Sequence, residues 1–118
     1  MKRTVLVAED EEKMGRILEV NLQDQYHVLV ARDGEEALRI FQENEVDLLL
    51  TDMRMPERDG LSLLHEVKRL RPEVPVILFT AYGTIESAVN AMKEGATDYL
   101  LKPIKMEEVE LVIQRALL

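Results

Sequence analysis

Four of the five short apolar runs in this chain end in residues that phosphoryl chemistry uses. The residues that follow these runs are Glu9 and Asp10, Asp52, Thr80 and Lys102. Together they offer three carboxylates, a hydroxyl and an ammonium. Carboxylate oxygens suit a hard metal ion, and the hydroxyl and the ammonium suit the oxygens of a phosphoryl group. Whether the fold brings these side chains together decides whether they act as one site.

Strand-length apolar runs and amphipathic segments alternate along the chain. The runs predict five strands, at residues 5–8, 27–31, 46–51, 76–80 and 98–101. Apolar residues at three- and four-residue spacing predict helices at about 13–23, after Asp33, at 61–70, at 84–94 and from about 105. This order predicts an α/β domain with a parallel sheet, and the carboxyl ends of parallel strands meet at one edge. The reactive residues are therefore expected at that edge.

Individual residues mark the ends of several elements. Asp33 and Thr84 are predicted N-caps, because their side-chain oxygens accept hydrogen bonds from the first free N–H groups of a helix. Gly95 is expected to end the fourth helix in the left-handed conformation. The leucine run within 46–51 lacks polar alternation, which predicts a central strand buried on both faces.

Composition excludes several classes of function. The 118 residues suit one domain, and the formal net charge of −8 argues against direct binding of nucleic acid by this segment. The absence of cysteine excludes disulfides and thiolate metal sites. The apolar stretches are too short for a membrane span, and the first residues do not resemble a secretory signal. These features favour the cytoplasm.

The acidic residues near the predicted edge are candidates for a metal site. Glu9, Asp10 and Asp52 would repel one another at the edge of a buried sheet, and each would raise the pKa of the others. A cation removes this penalty, and an all-oxygen set with retained waters suits Mg²⁺. His27 and His65 fall at positions that do not converge on this edge, so transition metals are not expected. Taken alone, each acidic residue also fits a helix cap or a solvated loop charge.

Asp52 is the best candidate nucleophile, because it ends the most apolar run and should be held rigidly. A carboxylate that accepts a phosphoryl group forms an acyl phosphate. The point charge of Lys102 could pair with that group, and Thr80 could donate a hydrogen bond to it. The plainer alternatives are a surface lysine and an ordinary β-branched strand residue. Pro103 follows Lys102, and the sequence leaves open whether that peptide bond is cis.

These residues, in this order and on these elements, resemble the receiver domain of two-component response regulators. The matching features are Glu9-Asp10, Asp52, Met55-Pro56 with Asp59-Gly60, Thr80-Ala81, Tyr99 and Lys102-Pro103. The resemblance spans essentially the whole chain, so residues 1–118 are interpreted as one receiver domain. It implies a flavodoxin-like, doubly wound sheet of five parallel strands in the order 2-1-3-4-5, with five helices. It also implies a signalling switch that a sensor histidine kinase activates by phosphorylation.

The resemblance implies a role for each residue at the acidic end. Asp52 would be the phospho-acceptor. Asp10 and Asp52 would bind Mg²⁺ together with the backbone carbonyl of Arg54. Glu9, where the family more often has Asp, would act nearby, often through water. Such a domain is not an enzyme, beyond its own Mg²⁺-dependent phosphoryl transfer and autodephosphorylation.

The remaining matches imply a switch. Thr80 and Lys102 would contact the phosphoryl group, and the rotamer of Tyr99 would follow the displacement of Thr80. Helix 4, strand 5 and helix 5 would then pass the change to an output domain or to a second copy in a homodimer. The alternative for Tyr99 is a half-buried aromatic with its hydroxyl in water. Arg54 and Tyr82 lie two residues beyond the acceptor and the switch hydroxyl, which predicts that they tune the lifetime of the phosphoryl group.

A narrower resemblance lies in residues 80–89 and 91–99, which are similar to the NtrC-like receivers. Those regulators usually continue into an AAA+ ATPase and a helix-turn-helix DNA-binding domain that act with sigma-54 polymerase. The last predicted helix ends in an uncapped apolar tail at 114–118. The chain is therefore expected to be the N-terminal fragment of a longer regulator that controls transcription.

Three other interpretations compete. An aspartate-nucleophile phosphohydrolase would carry a second Asp two residues after the nucleophile, where this chain has Arg54. A flavin or nucleotide binder of similar topology would carry a glycine-rich loop after the first strand, where residues 9–12 are all acidic. A receiver-like interaction module that is never phosphorylated stays open, although every reactive position is filled.

Overall fold

A single parallel sheet with helices on both faces forms the domain. The computed structural model describes residues 2–118. The strands are β1 (Arg3–Ala8), β2 (Tyr26–Ala31), β3 (Leu48–Asp52), β4 (Val76–Thr80) and β5 (Asp98–Leu101). The helices are α1 (Glu12–Leu22), α2 (Gly34–Glu43), α3 (Gly60–Leu70), α4 (Ile85–Lys93) and α5 (Met106–Ala116). The strand order 2-1-3-4-5, with every pairing parallel, confirms the flavodoxin-like fold.

The predicted start of the third strand, at residue 46, is wrong by two residues. β3 begins at Leu48, because the preceding Asp47 meets Thr4 partly through its side chain. The Asp47 carboxylate accepts a hydrogen bond from the Thr4 N–H at 2.8 Å, where a regular ladder would offer a backbone carbonyl. At the other end, Asp52 belongs to the strand as its last residue. The acceptor candidate is therefore held by the sheet itself.

The predicted N-caps of α2 and α4 and the predicted glycine after α4 are confirmed. The side chains of Asp33 and Thr84 accept the N–H groups of Glu36 and Ser87, at 2.8 and 2.9 Å. Gly95 has a φ of 108°, in the left-handed region that favours glycine. Two hydrogen bonds close this end of α4, from the N–H of Gly95 to Met92 and from the N–H of Ala96 to Ala91. Such a pair forms a Schellman motif, which satisfies the last carbonyls of the helix.

The core has two halves, one on each face of the sheet. One half lies under α2, α3 and α4, and the other lies under α1 and α5. Every residue of β3 and β4 is buried, which confirms the central, doubly covered position predicted for the leucine run. The helices differ in how much they contribute, because α4 buries only Ala91 while α3 buries four residues.

The peptide bond between Lys102 and Pro103 is cis, which answers the question that the sequence left open. Among residues 2–118, no helix has the length and apolar character needed to cross a membrane.

The start of α3 packs directly on the end of β3. The N–H of Gly60 donates to the Met53 carbonyl at 2.9 Å. A Cβ at Gly60 would overlap the Asp52 carbonyl oxygen and lie 2.8 Å from Met53 Cα. Because no side chain fits this gap, glycine allows the start of α3 to pack against the backbone of β3 where that strand ends at Asp52.

Gly60→Ala is expected to destabilise the fold by about 1–3 kcal/mol, the usual cost of forcing extra atoms into a packed interior. Gly15→Ala is the matched control, since its Cβ would lie 3.5 Å from Val30 Cγ1, in ordinary contact. That change should stabilise α1 by about 0.5–1 kcal/mol, because alanine restricts the unfolded chain more than glycine does. Urea unfolding of both variants measures the difference. Equal stabilities would show that the start of α3 has room for a side chain.

Candidate functional site

Residues that follow the carboxyl ends of β1, β3, β4 and β5 meet around one cavity, at the edge where the sequence predicted a site. Its volume is about 330 Å³. The predicted residues that line it are Glu9, Asp10, Asp52, Arg54, Tyr82 and Lys102. Parallel pairing places β1 beside β3, and the turn after β5 carries Lys102 across the edge toward both. Residues separated by up to 93 positions in the chain thus share one site.

Lys102 joins two of the carboxylates. Its Nζ lies 2.7 Å from Asp52 Oδ2 and 3.0 Å from Glu9 Oε1. Only 20% of the Lys102 side chain is exposed, so the interpretation as a surface lysine is wrong. Partial burial favours its neutral form, but the hydrogen bonds to Asp52 and Glu9 outweigh this effect and raise the pKa of Lys102 above its usual value.

Glu9 is the most buried of the three acidic residues, with 1% of its surface exposed. Its Oε2 accepts the Glu11 N–H at 3.0 Å, and its backbone N–H donates to the Ala31 carbonyl. Burial raises the pKa of Glu9 to about 7, even though the Glu11 N–H and Lys102 both act to lower it. The Asp52 carboxylate adds to the rise by repulsion. A carboxylate in such a position gains from a nearby cation.

The donor set fits a hard divalent cation. One oxygen from each of Glu9, Asp10 and Asp52 lies within 4.8 Å of the others. Asp10 is exposed while the other two are buried, so the cluster opens to solvent on one side. A cation that keeps several waters and takes a few carboxylate oxygens suits this arrangement. The structure thus brings together all three predicted acidic ligands.

The Asp52 side chain is fixed from two directions. The Arg54 N–H donates to Asp52 Oδ1 at 2.9 Å, while Lys102 holds Oδ2. The next residue, Met53, donates its N–H to the Phe79 carbonyl of β4 at 3.0 Å. The carboxylate is therefore oriented with 5% of the residue exposed toward the cavity.

Thr80 lies beside the cavity rather than on its wall. It is buried, and its Oγ1 accepts the Tyr82 N–H at 3.1 Å. It lines a second cavity of about 200 Å³, which shares Arg54 and Tyr82 with the first. The Lys102 N–H donates to the Thr80 carbonyl at 2.8 Å, so the two residues are linked through the backbone.

Arg54 and Tyr82 close over the mouth of the site. The guanidinium carbon of Arg54 lies 4.5 Å from the centre of the Tyr82 ring, a cation–π contact. Tyr82 is 67% exposed, so the stack forms on the solvent side of the cavity. The sequence placed both residues near the site but did not predict that they touch.

Ser87 is a polar residue beside Tyr99 that the sequence alone did not single out. Its Oγ lies 2.9 Å from the Tyr99 hydroxyl and accepts the Thr84 N–H at the start of α4. The alternative of a Tyr99 hydroxyl held only by water is therefore wrong. The signal was present in the sequence, because Thr84 and Ser87 have the spacing of a reciprocal cap.

Comparison with known proteins agrees with this geometry. A family model described as the response regulator receiver domain matches residues 5–114. The chain is 40% identical over 114 residues to the transcriptional regulatory protein ZraR of Escherichia coli K12, covering 96% of this chain and 26% of that protein. The regulatory protein AtoC of the same organism is 40% identical over 114 residues, with 96% of this chain and 25% of that protein covered. The chain thus spans about a quarter of the length of these relatives.

A solved structure extends the comparison to three dimensions. A response regulator receiver domain protein from Clostridium thermocellum superposes with a TM-score of 0.92 at 37% sequence identity. The alignment covers 98% of this chain and 94% of that one. Since the family match spans nearly the whole chain, the protein belongs to the family of response regulator receiver domains, which are signalling domains of two-component systems.

Proposed function

We propose that this domain is switched by transfer of a phosphoryl group to Asp52, which needs Mg²⁺. The observation that carries the proposal is the arrangement around one carboxylate. Asp52 Oδ2 lies 2.7 Å from the Lys102 ammonium, and one Asp52 oxygen lies within 4.8 Å of one oxygen each from Glu9 and Asp10. A fixed carboxylate with a cation on one side and a metal-ligand set on the other meets the needs of acyl phosphate formation.

The phosphoryl donor is the phosphohistidine of a sensor kinase. An Asp52 carboxylate oxygen forms a bond to phosphorus while the bond between phosphorus and the imidazole nitrogen breaks. The imidazole leaves with the bonding electron pair and takes up a proton. Lys102 offsets the negative charge that the phosphoryl oxygens bring beside Asp52, and the Thr80 hydroxyl donates to one of these oxygens.

Asp10 and Asp52, with the backbone carbonyl of Arg54, would hold the metal ion, and the buried Glu9 would support it from nearby. Mg²⁺ bound there would neutralise charge on the phosphoryl oxygens. Support comes from the three carboxylates, whose mutual repulsion a divalent cation relieves.

The site favours a switch over an enzyme that turns over external substrates. A phosphohydrolase with an aspartate nucleophile typically carries a second Asp two residues later as its general acid, and Arg54, which has that position here, cannot protonate a leaving group at neutral pH. The acidic residues 9–12 repel phosphate in the place where a nucleotide binder would hold it. The chemistry left to the domain is its own phosphorylation and dephosphorylation.

The output is control of transcription. ZraR, which shares 40% identity with this chain, is a transcriptional regulatory protein about four times as long as the region they share. By that analogy, residues 1–118 form the N-terminal receiver of a longer cytoplasmic regulator with an AAA+ ATPase and a DNA-binding domain that act with sigma-54 polymerase. The surface of α4, β5 and α5 passes the signal on, through the output domain or a homodimer. The receiver, with its net charge of −8, does not itself contact DNA.

Incubation with acetyl phosphate and Mg²⁺ should add one phosphoryl group to the wild-type protein. Asp52→Asn should abolish the adduct, because an amide oxygen does not form the acyl phosphate. Asp47→Asn is the matched control, since Asp47 lies just before β3, at the opposite end of that strand, and accepts the Thr4 N–H. Intact-mass spectrometry measures the adduct on the wild type and on both variants. A parallel incubation with a chelator tests whether the metal is required. An adduct on Asp52→Asn would remove Asp52 as the acceptor.

Mg²⁺ should raise the unfolding temperature of the wild-type protein. Binding to the folded state alone stabilises by about 2.7 kcal/mol at one hundred times the dissociation constant. Asp10→Asn should lose most of this gain because it removes the exposed carboxylate of the set. Asp24→Asn, an exposed loop residue, should keep it. Differential scanning calorimetry with and without Mg²⁺ tests this, and an equal gain in Asp10→Asn would contradict the ligand assignment.

Loss of the stack over the cavity should shorten the lifetime of the phosphoryl group. Arg54→Ala and Tyr82→Ala are each expected to speed dephosphorylation about 2- to 5-fold, which corresponds to about 0.5–1 kcal/mol of exposed cation–π energy. The double variant should be no faster than the singles if the contact is what shields the phosphorus. Arg39→Ala, on the surface of α2, is the control. Additive effects would show that each residue acts alone.

A further inference from the structure

We infer that Ser87 is the positioning residue that holds the Tyr99 ring, and that it makes the first turn of α4 part of the switch. The consequence for signalling rests on the proposed function. The claim that Ser87 holds Tyr99 concerns the unphosphorylated protein and does not depend on that function. Ser87 lies outside the acidic site, and its effect on that site passes through Tyr99.

The Tyr99 hydroxyl lies in a narrow gap between the loop after β4 and the first turn of α4. Ser87 Oγ is 2.9 Å away on one side. On the other side, a Cβ added at Gly83 would lie 2.9 Å from that hydroxyl and would overlap Leu101 Cδ2. The Tyr99 ring itself packs against the half of the core under α2, α3 and α4. The ring is thus seated by packing, and its polar end is fixed by Ser87.

The hydrogen-bonding pattern makes Ser87 a junction. Its Oγ accepts the Thr84 N–H at 2.9 Å and lies 3.0 Å from the Thr84 carbonyl. The single hydroxyl hydrogen points either at that carbonyl, with Tyr99 donating to Ser87, or at Tyr99 itself. Both arrangements keep one hydrogen bond between β5 and the cap of α4. Turning the ring outward breaks this bond in either case.

This junction matters because α4 makes few buried contacts with the rest of the domain. The helix buries only Ala91, near its far end, so its first turn depends on polar contacts. Ser87 also lines the cavity that contains Thr80. A displacement of Thr80 and a rotation of Tyr99 therefore both act on the turn that Ser87 caps.

The hydrogen bond between Ser87 and Tyr99 should raise the population of the observed ring position about 2- to 10-fold, the effect of one ordinary hydrogen bond. A phosphoryl group that draws Thr80 toward Asp52 gives the Tyr99 ring more room at this observed position, so the phosphorylated state favours that position. By linkage, a residue that stabilises this position raises the affinity for the phosphoryl group or its mimic by up to the same factor.

Fluorine NMR of protein labelled with 3-fluorotyrosine tests the resting state. The chain has three tyrosines, and Tyr99→Phe identifies the Tyr99 resonance by its loss. Ser87→Ala should shift that resonance toward the position of an exposed tyrosine, and Ser87→Thr should restore it by returning a hydroxyl. Thr84→Ala is the matched control, because it removes the acceptor of the Ser87 N–H but leaves Ser87 Oγ in place.

A titration with beryllofluoride and Mg²⁺, which mimic the phosphoryl group, tests the consequence. The resonance of Tyr82, which lines the cavity, reports binding. Ser87→Ala should bind the mimic about 2- to 10-fold more weakly than the wild type, while Thr84→Ala binds normally. An unmoved Tyr99 resonance in Ser87→Ala, or an equal shift in Thr84→Ala, would overturn the positioning role. A shifted resonance with unchanged affinity would overturn its part in the switch.

The two proposals fail separately. If the wild-type protein does not respond to beryllofluoride, the phosphoryl-acceptor function is wrong. The resting spectra of Ser87→Ala, Ser87→Thr and Thr84→Ala would still decide whether Ser87 holds Tyr99.

Discussion

The Lys102 ammonium, shared between Asp52 and Glu9, is the interaction on which this structure depends. Three carboxylates at the end of a buried sheet repel one another, and the cost grows as water is excluded. With Nζ 2.7 and 3.0 Å from two of them, Lys102 supplies a compensating positive charge in direct contact with Asp52 and Glu9. Three strands must keep their register to maintain these distances. The ion pairs therefore connect the packing of the core to the chemistry of its edge.

The two sides of the site differ in how firmly they are held. On the β3 side, the Arg54 N–H, the Phe79 carbonyl and the close packing of Gly60 fix the backbone around Asp52. On the β4 side, Thr80 is followed by an exposed loop and by a helix that is anchored to the sheet mainly at Ala91 and Tyr99. A firmly held carboxylate beside a less firmly held loop and helix is the arrangement that a two-state element requires.

Much of the fold and of the candidate site could be predicted from the sequence, because most of these predictions follow from one topological rule. Apolar runs in alternation with helices specify a parallel sheet, and a parallel sheet brings the residues after its strands to one edge. That rule is enough to join Glu9, Asp52 and Lys102. Local rules gave the caps at Asp33 and Thr84 and the left-handed Gly95.

What the sequence could not supply depends on side-chain conformation or on pairs of distant groups. β3 begins two residues later than predicted because the Asp47 carboxylate accepts a hydrogen bond from the Thr4 N–H, a contact between residues 43 positions apart. The stack of Arg54 on Tyr82 follows from the rotamers of two exposed side chains, which no spacing rule specifies. The contact of Tyr99 with Ser87 required the distance between a strand and a helix cap.

The shallow burial of α4 affects how such a domain can change its sequence during evolution. Ile85, Val89 and Met92 point outward with 87%, 47% and 47% of their surface exposed, so the core sets few demands on their identity. Substitutions there alter the shape that a neighbouring protein meets, while the acidic site and the sheet keep their packing. The domain can therefore acquire new surface specificity on this helix without losing its fold.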